Sequence, residues 1–389
     1  MTRRSGLLIA GGLAAASAVA ACVAAFRSSR TGCYYPDGQS YCAMGAGHDG
    51  SLPYTRRPLV PTLVHELSAG SEIDRFRIVG LVALVATAVL VAFTTARLAR
   101  ALGAADPTIT VAAVTAGVVV IAMPHGIRLA WSYPVFTDVP SWAFALAWAA
   151  GVTAQRRIPA LLLVLAGATV CAREEWLLSI TVASAWLLFR RRERVAALAS
   201  FAGAVVGAGI DVLQPHVGYN YTETIHEDVR TLTHSDGLQH LLWSTVFVGA
   251  GLLVLAVWTA VRRRGDAPDQ LWVLGIVAVP EMALSYIGGS DTPRLLAGGV
   301  VFLIPIALAG AAAVIEPLPA VVLLVASFAL WRPWRAPHDP VRFNDFYVPW
   351  QGLPRHVFDV RRLQDLVIVA VAAAAVIVLR ATRPDRPKG

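Results

Sequence analysis

Acidic and basic side chains stand at the ends of several long apolar segments, where ionisable groups are rare. The set comprises Asp138, Arg173, Glu174, Glu175, Asp291 and Arg294. A charged side chain at the centre of a membrane-spanning helix costs about 2.5–3.5 kcal/mol, so such residues usually mark a functional site. Asp138 and Asp291 each have an ordinary alternative as a helix N-cap. Together, carboxylates that exchange protons and guanidinium groups that bind phosphate predict a charged site.

A second polar group lies in the segment 27–75, which is rich in Gly, Pro and Tyr. Asp37 stands in a Pro-Asp-Gly sequence that is typical of a turn. Cys33 and Cys42 flank this turn, and in an oxidising compartment a disulfide between them would brace Asp37. The segment therefore offers a carboxylate outside the apolar helices.

The composition indicates that membrane helices position these side chains. Of 389 residues, 56% are hydrophobic and 15% are charged, against about 45–50% and about 25% in soluble domains. These proportions exclude an ordinary soluble enzyme and a disordered chain. The net charge of +8 is explained by basic loops that orient the helices, so we expect no nucleic-acid partner.

The apolar segments predict an all-α, polytopic membrane protein with about twelve transmembrane helices, some of them short or broken. In the first half of the chain the predicted spans are Gly6–Phe26, Phe76–Leu98, Thr108–Met123, Val139–Ala154, Ile158–Ala172 and Trp176–Phe189. In the second half they are Val195–Leu213, Leu241–Val261, Leu271–Ile287, Leu295–Ile315, Leu318–Trp331 and Leu366–Leu379.

The arginine clusters predict that both termini lie in the cytoplasm (N-in/C-in). With the N-terminus inside, the short loops that contain Arg156, Arg190 and Arg262 all face the cytoplasm, as the positive-inside rule requires. The long loops, with most of the acidic residues, then face outwards. These extracytoplasmic loops are 27–75, 124–138, 214–240, 288–294 and 332–365. We expect a single transmembrane domain, 1–389, in the inner (plasma) membrane with an extracytoplasmic active face.

Two of the predicted helices, 158–172 and 176–189, are too short to cross a bilayer. Fifteen helical residues reach about 22 Å, whereas the hydrocarbon core is about 30 Å thick. The Arg173-Glu174-Glu175 turn between them is therefore expected below the membrane surface, where it must be buried in protein.

Three further features have ordinary explanations beside functional ones. Glu223-x-x-His226 has the spacing of half a carboxylate metal site, but a solvated helix face is the better explanation. Aromatic residues towards the end of the chain fit interfacial anchoring, or stacking on a sugar or lipid. They are Trp331, Trp334, Phe343, Phe346, Tyr347, Trp350 and Phe358. Val19–Cys22 is similar to a lipoprotein cleavage box, so Gly6–Phe26 is either the first span or a cleaved signal.

This layout resembles the GT-C superfamily of polytopic membrane glycosyltransferases, in particular bacterial members that use lipid-phosphate sugars. The resemblance covers the whole predicted topology through short motifs. They are Asp37-x-x-x-Tyr41, Pro53-Tyr54-x-x-Arg57-Pro58-Leu59-x-Pro61, and the acids and arginines of the later outer loops. Many members have two adjacent acids in the first loop, whereas a glycine follows Asp37 here. Asp49 is the alternative for that position.

The resemblance and the chemistry together give each candidate residue a role. Asp37 and Asp138 are the candidate catalytic acids. Arg294 is the first candidate for the donor phosphate, with Arg128 and Arg173 behind it. The supporting residues are Asp49, Glu174, Glu175, Asp291, Tyr41 and Arg57. Asp138 and Glu174 would either position a divalent metal or orient the arginines.

The implied reaction moves a sugar from a polyprenyl phosphate to an acceptor in the cell envelope. Asp37 would take the proton of the acceptor hydroxyl, and a second carboxylate would stabilise an oxocarbenium-like transition state. Hard oxygen ligands would suit Mg²⁺ or Mn²⁺, although no spacing requires a metal. The expected partners are the lipid bilayer, the polyprenyl-phosphate sugar donor, and a cell-envelope glycan, lipid or protein as acceptor.

Two other functions stay open at this stage. A secondary transporter or lipid flippase also has twelve spans, and Glu281 beside Pro280 within a predicted span is the acid it would use. Against this alternative, the two halves of the chain have no obvious symmetry. A non-catalytic integral membrane protein is the other alternative.

Overall fold

In a computed structural model, the chain forms a bundle of α-helices. The described residues are Cys33, Gly50 and the ranges 36–48, 56–68, 70–123, 125–190, 193–213, 235–286, 292–331 and 355–381. No β-strand occurs within these ranges, which confirms the all-α class for them.

Fourteen helices lie in the described residues. The first seven are α1 Pro36–Gly45, α2 Leu59–Glu66, α3 Glu72–Ala101, α4 Asp106–Ala122, α5 Ile127–Ser132, α6 Asp138–Val152 and α7 Pro159–Ala172. The others are α8 Trp176–Arg190, α9 Arg194–Leu213, α10 Ser235–Arg262, α11 Asp269–Ser285, α12 Thr292–Ala313, α13 Pro317–Trp331 and α14 Arg355–Ala381.

Few of these helices have the length of a complete membrane span. Every predicted segment from Phe76 onwards falls on a helix, whereas Gly6–Phe26 lies outside the described residues. Among the described residues, three helices are long and apolar enough to cross a membrane: Glu72–Ala101, Arg194–Leu213 and Arg294–Ala313. Several shorter helices are also apolar, among them α4, α7, α8 and α13. This supports a membrane protein, while the number of spans and their orientation stay predictions.

Helix α12 lies at the centre of the bundle. Its most apolar stretch is 89% buried inside the protein, and it contacts α3, α4, α6, α10 and α11. Small residues allow the close packing that membrane helices depend on. A Cβ atom on Gly299 would lie only 2.9 Å from the backbone oxygen of Ala278 in α11. Because Arg294 is in the first turn of α12, this central helix brings a positive charge to one end of the bundle.

Glycines also fix the packing of α7 against α9. A Cβ on Gly207 would lie 2.7 Å from the backbone oxygen of Gly167, and one on Gly203 would overlap that of Leu163. Since the residue numbers rise together in the two helices, α7 and α9 run parallel, and α8 connects them in the opposite direction. The end of α7, the start of α8 and the end of α9 therefore lie at the same end of the bundle.

The turn between α7 and α8 is short and buried, as the lengths of these helices predict. Helix α7 has 14 residues, about 21 Å. Arg173 follows it in an extended conformation, with φ −157° and ψ 123°. The backbone N–H of Trp176 donates to the carbonyl of Arg173 at 3.3 Å, and α8 begins there. The Arg173 side chain is consequently enclosed by protein rather than lipid.

Three local predictions are wrong. The Pro-Asp-Gly sequence expected as a turn forms the start of α1, because proline is favourable in the first turn of a helix. Asp138 is the first residue of α6 rather than its N-cap, which is Thr137. Trp331 is a core residue rather than an interfacial one, since it is buried and its Nε1 donates to the carbonyl of Phe247 at 2.8 Å.

The predicted outer loops also contain more helix than expected. The segment 27–75 includes α1, α2 and the start of α3, and the segment 124–138 includes α5. Helices α10 and α14 begin at Ser235 and Arg355, inside the segments 214–240 and 332–365.

Candidate functional site

Three elements that are distant in sequence bring Asp138, Arg173 and Arg294 together. Asp138 begins α6, Arg173 follows α7, and Arg294 lies in the first turn of α12. An Nη atom of Arg173 donates to Oδ1 of Asp138, and Nε of Arg294 lies 3.8 Å from the same oxygen. All three side chains are buried. Asp138 thus lies between two guanidinium groups, as buried charges require a partner.

The backbone of Asp138 is fixed by a short chain of hydrogen bonds. Oγ of Ser141 donates to the carbonyl of Asp138 at 2.7 Å, and Nε1 of Trp176 donates to Oγ of Ser141 at 3.1 Å. Trp176 in turn packs on Phe302 of α12, with ring centroids 5.4 Å apart. The first turns of α6 and α8 are therefore held to the central helix.

The second guanidinium arm of Arg173 extends the network to Glu175. Nη2 of Arg173 donates to Oε2 of Glu175 at 2.8 Å. Deeper in the bundle, Oγ of Ser179 donates to Oε1 of Glu281 at 2.6 Å, within electrostatic reach of Arg173 and Glu175. Glu281 therefore lies next to the charged site rather than in a separate place.

A bidentate ion pair attaches the segment before α2 to the α7–α8 turn. Nε and Nη2 of Arg57 donate to the two carboxylate oxygens of Glu174 at 2.8 and 2.9 Å. The remaining nitrogen, Nη1, donates to the hydroxyl of Tyr41 in α1 at 3.1 Å. The side chains of Arg57 and Glu174 are 15% and 25% exposed. A single arginine thus links α1, α2 and the turn.

The ionised state of this pair is strongly favoured. Burial alone would raise the pKa of Glu174, but the charge and hydrogen bonds of Arg57 outweigh burial and lower it to about 2. Burial likewise disfavours the charge on Arg57, yet Glu174 holds the pKa of Arg57 well above its ordinary value. By contrast, burial raises the pKa of Glu175, and Arg173 opposes this rise only in part. Burial also raises the pKa of Tyr41.

We call these interacting residues the ionic cluster, which comprises Arg57, Asp138, Arg173, Glu174, Glu175 and Arg294. The cluster has three basic and three acidic members, so its charges balance. All six were candidate residues from the sequence. The structure shows their contacts but does not assign a reaction to them.

Arg294 differs from the other two arginines in its surroundings. Its guanidinium lies over the ring of Phe136, with Cζ 4.2 Å from the ring centroid. It approaches Asp138 only to 3.8 Å, beyond hydrogen-bond distance. His125 is buried within electrostatic reach of Asp138. A buried cation stacked on an aromatic ring is suited to binding an anion.

The segment that carries Tyr41 is held by a disulfide. Cys33 and Cys42 are joined, with their Cα atoms 6.2 Å apart, so the pairing considered from the sequence is present. Cys42 follows Tyr41 directly, and α1 contacts α2 and α3. The disulfide therefore limits the movement of the α1 segment above the ionic cluster.

The carboxylates of the cluster are arranged to orient arginines rather than to bind a metal. Asp138, Glu174 and Glu175 each accept a hydrogen bond from a guanidinium group. Among the described residues, no group of three or more His, Cys, Asp or Glu could hold a metal ion. The expectation of Mg²⁺ or Mn²⁺ therefore stays a prediction without support from this part of the chain.

Several candidates lie outside the description of the structure. Asp49 and Asp291 are outside the described residues, as are Glu223, His226 and the aromatic residues between 334 and 350. The backbone of Asp37 and Arg128 is helical, but their side chains are outside the description. Their proposed roles stay predictions.

Sequence reasoning missed Asp211 in the last turn of α9, which is buried beside the cluster. It also treated Glu281 as a separate mid-span acid. The spacing Gly203-x-x-x-Gly207-x-x-x-Asp211 was the available indication for Asp211, because it places an acid on the packed face of an apolar helix.

No protein-family model matches the chain, and neither a curated protein nor a solved structure matches it. The functional argument therefore rests on the residues and their geometry.

Proposed function

We propose that the chain is a GT-C-like glycosyltransferase that moves a sugar from a polyprenyl-phosphate donor to an extracytoplasmic cell-envelope acceptor. The observation that carries this proposal is the convergence of Arg57, Arg173 and Arg294 with three carboxylates in one buried cluster. Separate elements of an apolar helical bundle contribute these charges. Burying these charges lowers the stability of the fold, so their convergence favours a functional role.

The reaction needs a fixed cation where the lipid phosphate leaves. Arg294 is the best candidate, because its guanidinium is buried at the start of the central helix and stacks on Phe136. An incoming phosphate oxygen would meet a guanidinium that this stacking already orients. Asp138 then acts as a positioning residue that balances the charge of Arg294, and Arg173 orients Asp138.

The acceptor hydroxyl needs a carboxylate that takes its proton during attack on the anomeric carbon. Asp138 and Glu174 are poorly suited to this step, since guanidinium groups already bind Oδ1 of Asp138 and both carboxylate oxygens of Glu174. Asp37 remains the candidate from the family resemblance. Its position in the first turn of α1, near the Cys33–Cys42 disulfide, is compatible with that role.

The orientation of the chain determines the kind of donor. The arginine clusters favour cytoplasmic termini, which places the ionic cluster on the outer side of the plasma membrane. Nucleotide sugars are not available there, so a transferase on that side depends on a lipid-linked sugar. The apolar surface of the bundle would give such a lipid lateral access.

The test uses the full chain in nanodiscs with polyprenyl phosphates that carry labelled hexose or pentose, together with a cell-envelope extract that supplies the acceptor hydroxyl groups. The expected result is release of polyprenyl phosphate by the wild type, and about a hundredfold slower release by Arg294→Gln, the usual effect of removing one charge-stabilising donor. Arg100→Gln is the matched control, because Arg100 forms a loose pair with the exposed Asp106 at 3.7 Å. Absence of release with every lipid-linked sugar, in a folded wild type, would refute the proposal.

A transporter is the second candidate, and one observation favours it. Glu281 is buried in α11 beside Pro280, which lies inside the helix, and it accepts a hydrogen bond from Ser179 next to the cluster. A buried acid beside a proline within an apolar helix is typical of ion-coupled transport. Proton uptake coupled to solute movement in proteoliposomes, abolished by Glu281→Gln, would support this candidate over the transferase.

A further inference from the structure

Asp211 is a buried carboxylate that the ionic cluster does not use. It lies in the last turn of α9, and only 5% of its surface is exposed. Within the described part of the chain, neither of its carboxylate oxygens has a hydrogen-bond partner. Such a group is unfavourable in a folded protein. A buried carboxyl group without a hydrogen-bond partner in an apolar helix therefore points to a role outside folding.

The packing of α9 determines where Asp211 lies. Gly203, Gly207 and Asp211 are spaced four residues apart, so they share one face of the helix. The two glycines pack on Leu163 and Gly167 of the parallel helix α7. Asp211 is one helical turn beyond Gly207 on the same face, and so lies at the level of Cys171 in α7. The Sγ of Cys171 donates to the carbonyl of Gly207 at 3.7 Å. Asp211 therefore lies where α7 ends, next to the α7–α8 turn.

The charges around Asp211 belong to the edge of the ionic cluster. Arg56, Arg57 and Glu174 are within electrostatic reach of its carboxylate. Arg57 is already committed to Glu174 through two hydrogen bonds. Asp211 thus adjoins the cluster without a hydrogen bond to it.

We propose that Asp211 accepts a hydrogen bond from a hydroxyl group of the acceptor, which is therefore a polyhydroxy compound such as a glycan. A carboxylate whose oxygens have no hydrogen-bond partner is complementary to hydroxyl donors. A metal cation is less suitable, because the neighbouring arginines are positive and the described residues include no group that could hold a metal. This inference rests on the proposed transferase function and names the class of its acceptor.

The test measures binding of two probes to the full chain in nanodiscs. Octyl glucoside presents four hydroxyl donors, whereas its per-O-methylated counterpart presents none. Binding is followed by tryptophan fluorescence, with empty nanodiscs as the correction for partitioning. We expect the wild type to prefer the hydroxylated probe by about tenfold, the effect of satisfying one buried acceptor that otherwise has no partner. Asp211→Leu, which removes both acceptor oxygens at a similar size, should lose this preference.

Two further variants separate binding from folding. Asp211→Glu keeps the accepting oxygens and should retain the preference, whereas Asp106→Asn removes an exposed charge on α4 and should behave as the wild type. The thermal unfolding midpoint of Asp211→Leu should equal or exceed that of the wild type, since a buried polar group without a hydrogen-bond partner is removed. Equal preference in the wild type and Asp211→Leu, or no preference in the wild type, would overturn the inference. Loss of the preference in Asp211→Glu as well would also overturn it, because helix packing would then explain both variants.

Failure of this inference and failure of the proposed function are distinguishable. If the wild type releases polyprenyl phosphate but Asp211→Leu still prefers the hydroxylated probe, only the assignment of Asp211 is wrong. If no lipid-linked sugar is turned over, the transferase proposal is wrong, and the role of Asp211 as acceptor site falls with it.

Discussion

At the scale of single residues, the ionic cluster depends most on Arg173. This arginine donates to both Asp138 and Glu175, and its side chain is 2% exposed. Arg173→Leu would remove the hydrogen bonds that the buried Asp138 and the partly buried Glu175 accept from it. Breaking a buried pair in this way costs about 3–5 kcal/mol. We expect a clearly lower thermal unfolding midpoint in detergent.

A double variant distinguishes loss of the charge pair from loss of packing. Asp138→Asn combined with Arg173→Leu removes one of the two carboxylates that lose a hydrogen bond, so it should recover part of the stability lost by Arg173→Leu alone. Arg100→Gln, at an exposed pair, should leave the midpoint nearly unchanged. An Arg173→Leu variant as stable as the wild type would show that the ion pairs of Arg173 do not stabilise the fold.

The Arg57–Glu174 pair predicts a loss of stability in acid. The pKa of Glu174 is about 2 in the folded protein, against an ordinary value of 4.5. A lowered folded pKa gives stability that is fully present above pH 4.5 and disappears as the pH falls towards 2. The midpoint of the wild type should therefore approach that of Glu174→Gln across this range.

The difference between the two proteins is the quantity to measure. Glu175 has a raised pKa, so acidification relieves the cost of its buried charge and acts in the opposite direction. Because Glu175 is present in both proteins, subtraction removes most of its effect. A difference that stays constant from pH 6 to pH 3 would contradict the assignment of Glu174 as the ionised partner.

At the scale of elements, close packing of α7 and α9 places Asp211 and the α7–α8 turn together. Gly207→Ala would put a Cβ 2.7 Å from the carbonyl oxygen of Gly167. The helices would have to separate, so we expect lower stability, by about 1–3 kcal/mol as in overpacked cores. Gly209→Ala is the matched control, because nothing lies within 4 Å of its added Cβ.

Thermal unfolding in detergent checks this pair of variants. Gly209→Ala should be neutral or slightly stabilising, since alanine is a better helix former by about 1 kcal/mol. Equal stability of the two variants would show that α7 and α9 do not approach as closely as the glycines indicate. The same experiment bears on the site, because separation of these helices would displace Asp211 from the turn.

The sequence predicted the elements well because their causes are local. Apolar length, charge and proline positions set the bounds of α3, α4 and α6 to α9 to within a few residues. The first turn of α1 was not predicted, because Pro-Asp-Gly fits both a turn and a helix start. The tertiary pairs were also not predictable. Asp138 and Arg173 are 35 residues apart, and only the packing of α6 on α7 decides that they meet.

At the scale of the whole molecule, charge is concentrated at one end of an apolar bundle. The candidate residues from the loop before α2, from α6, from the α7–α8 turn and from α12 meet there. Residue type and apparent topology predicted this common end. They did not predict Asp211 or the position of Glu281, because an isolated acid in an apolar helix carries no information about its neighbours.

The side of the membrane on which the cluster lies is testable with cysteine labelling. In a background without Cys22 and Cys171, a cysteine at Ser68 lies in the exposed connection between α2 and α3, and a cysteine at Gln155 lies in the exposed turn after α6. With both termini in the cytoplasm, a membrane-impermeant maleimide should label Ser68→Cys in intact cells. It should label Gln155→Cys only after the cells are permeabilised.

The Cys33–Cys42 disulfide stays in place in both proteins, so the parent protein without an added cysteine gives the background of labelling. The reverse pattern would place the ionic cluster at the cytoplasmic face. Nucleotide sugars are available on that side, so the reason for a lipid-phosphate donor would disappear. The expected pattern would instead support the orientation that the arginine loops predict. This orientation agrees with the proposed chemistry, because a phosphate-binding site on the outer side must take its sugar from a lipid-linked donor in the membrane.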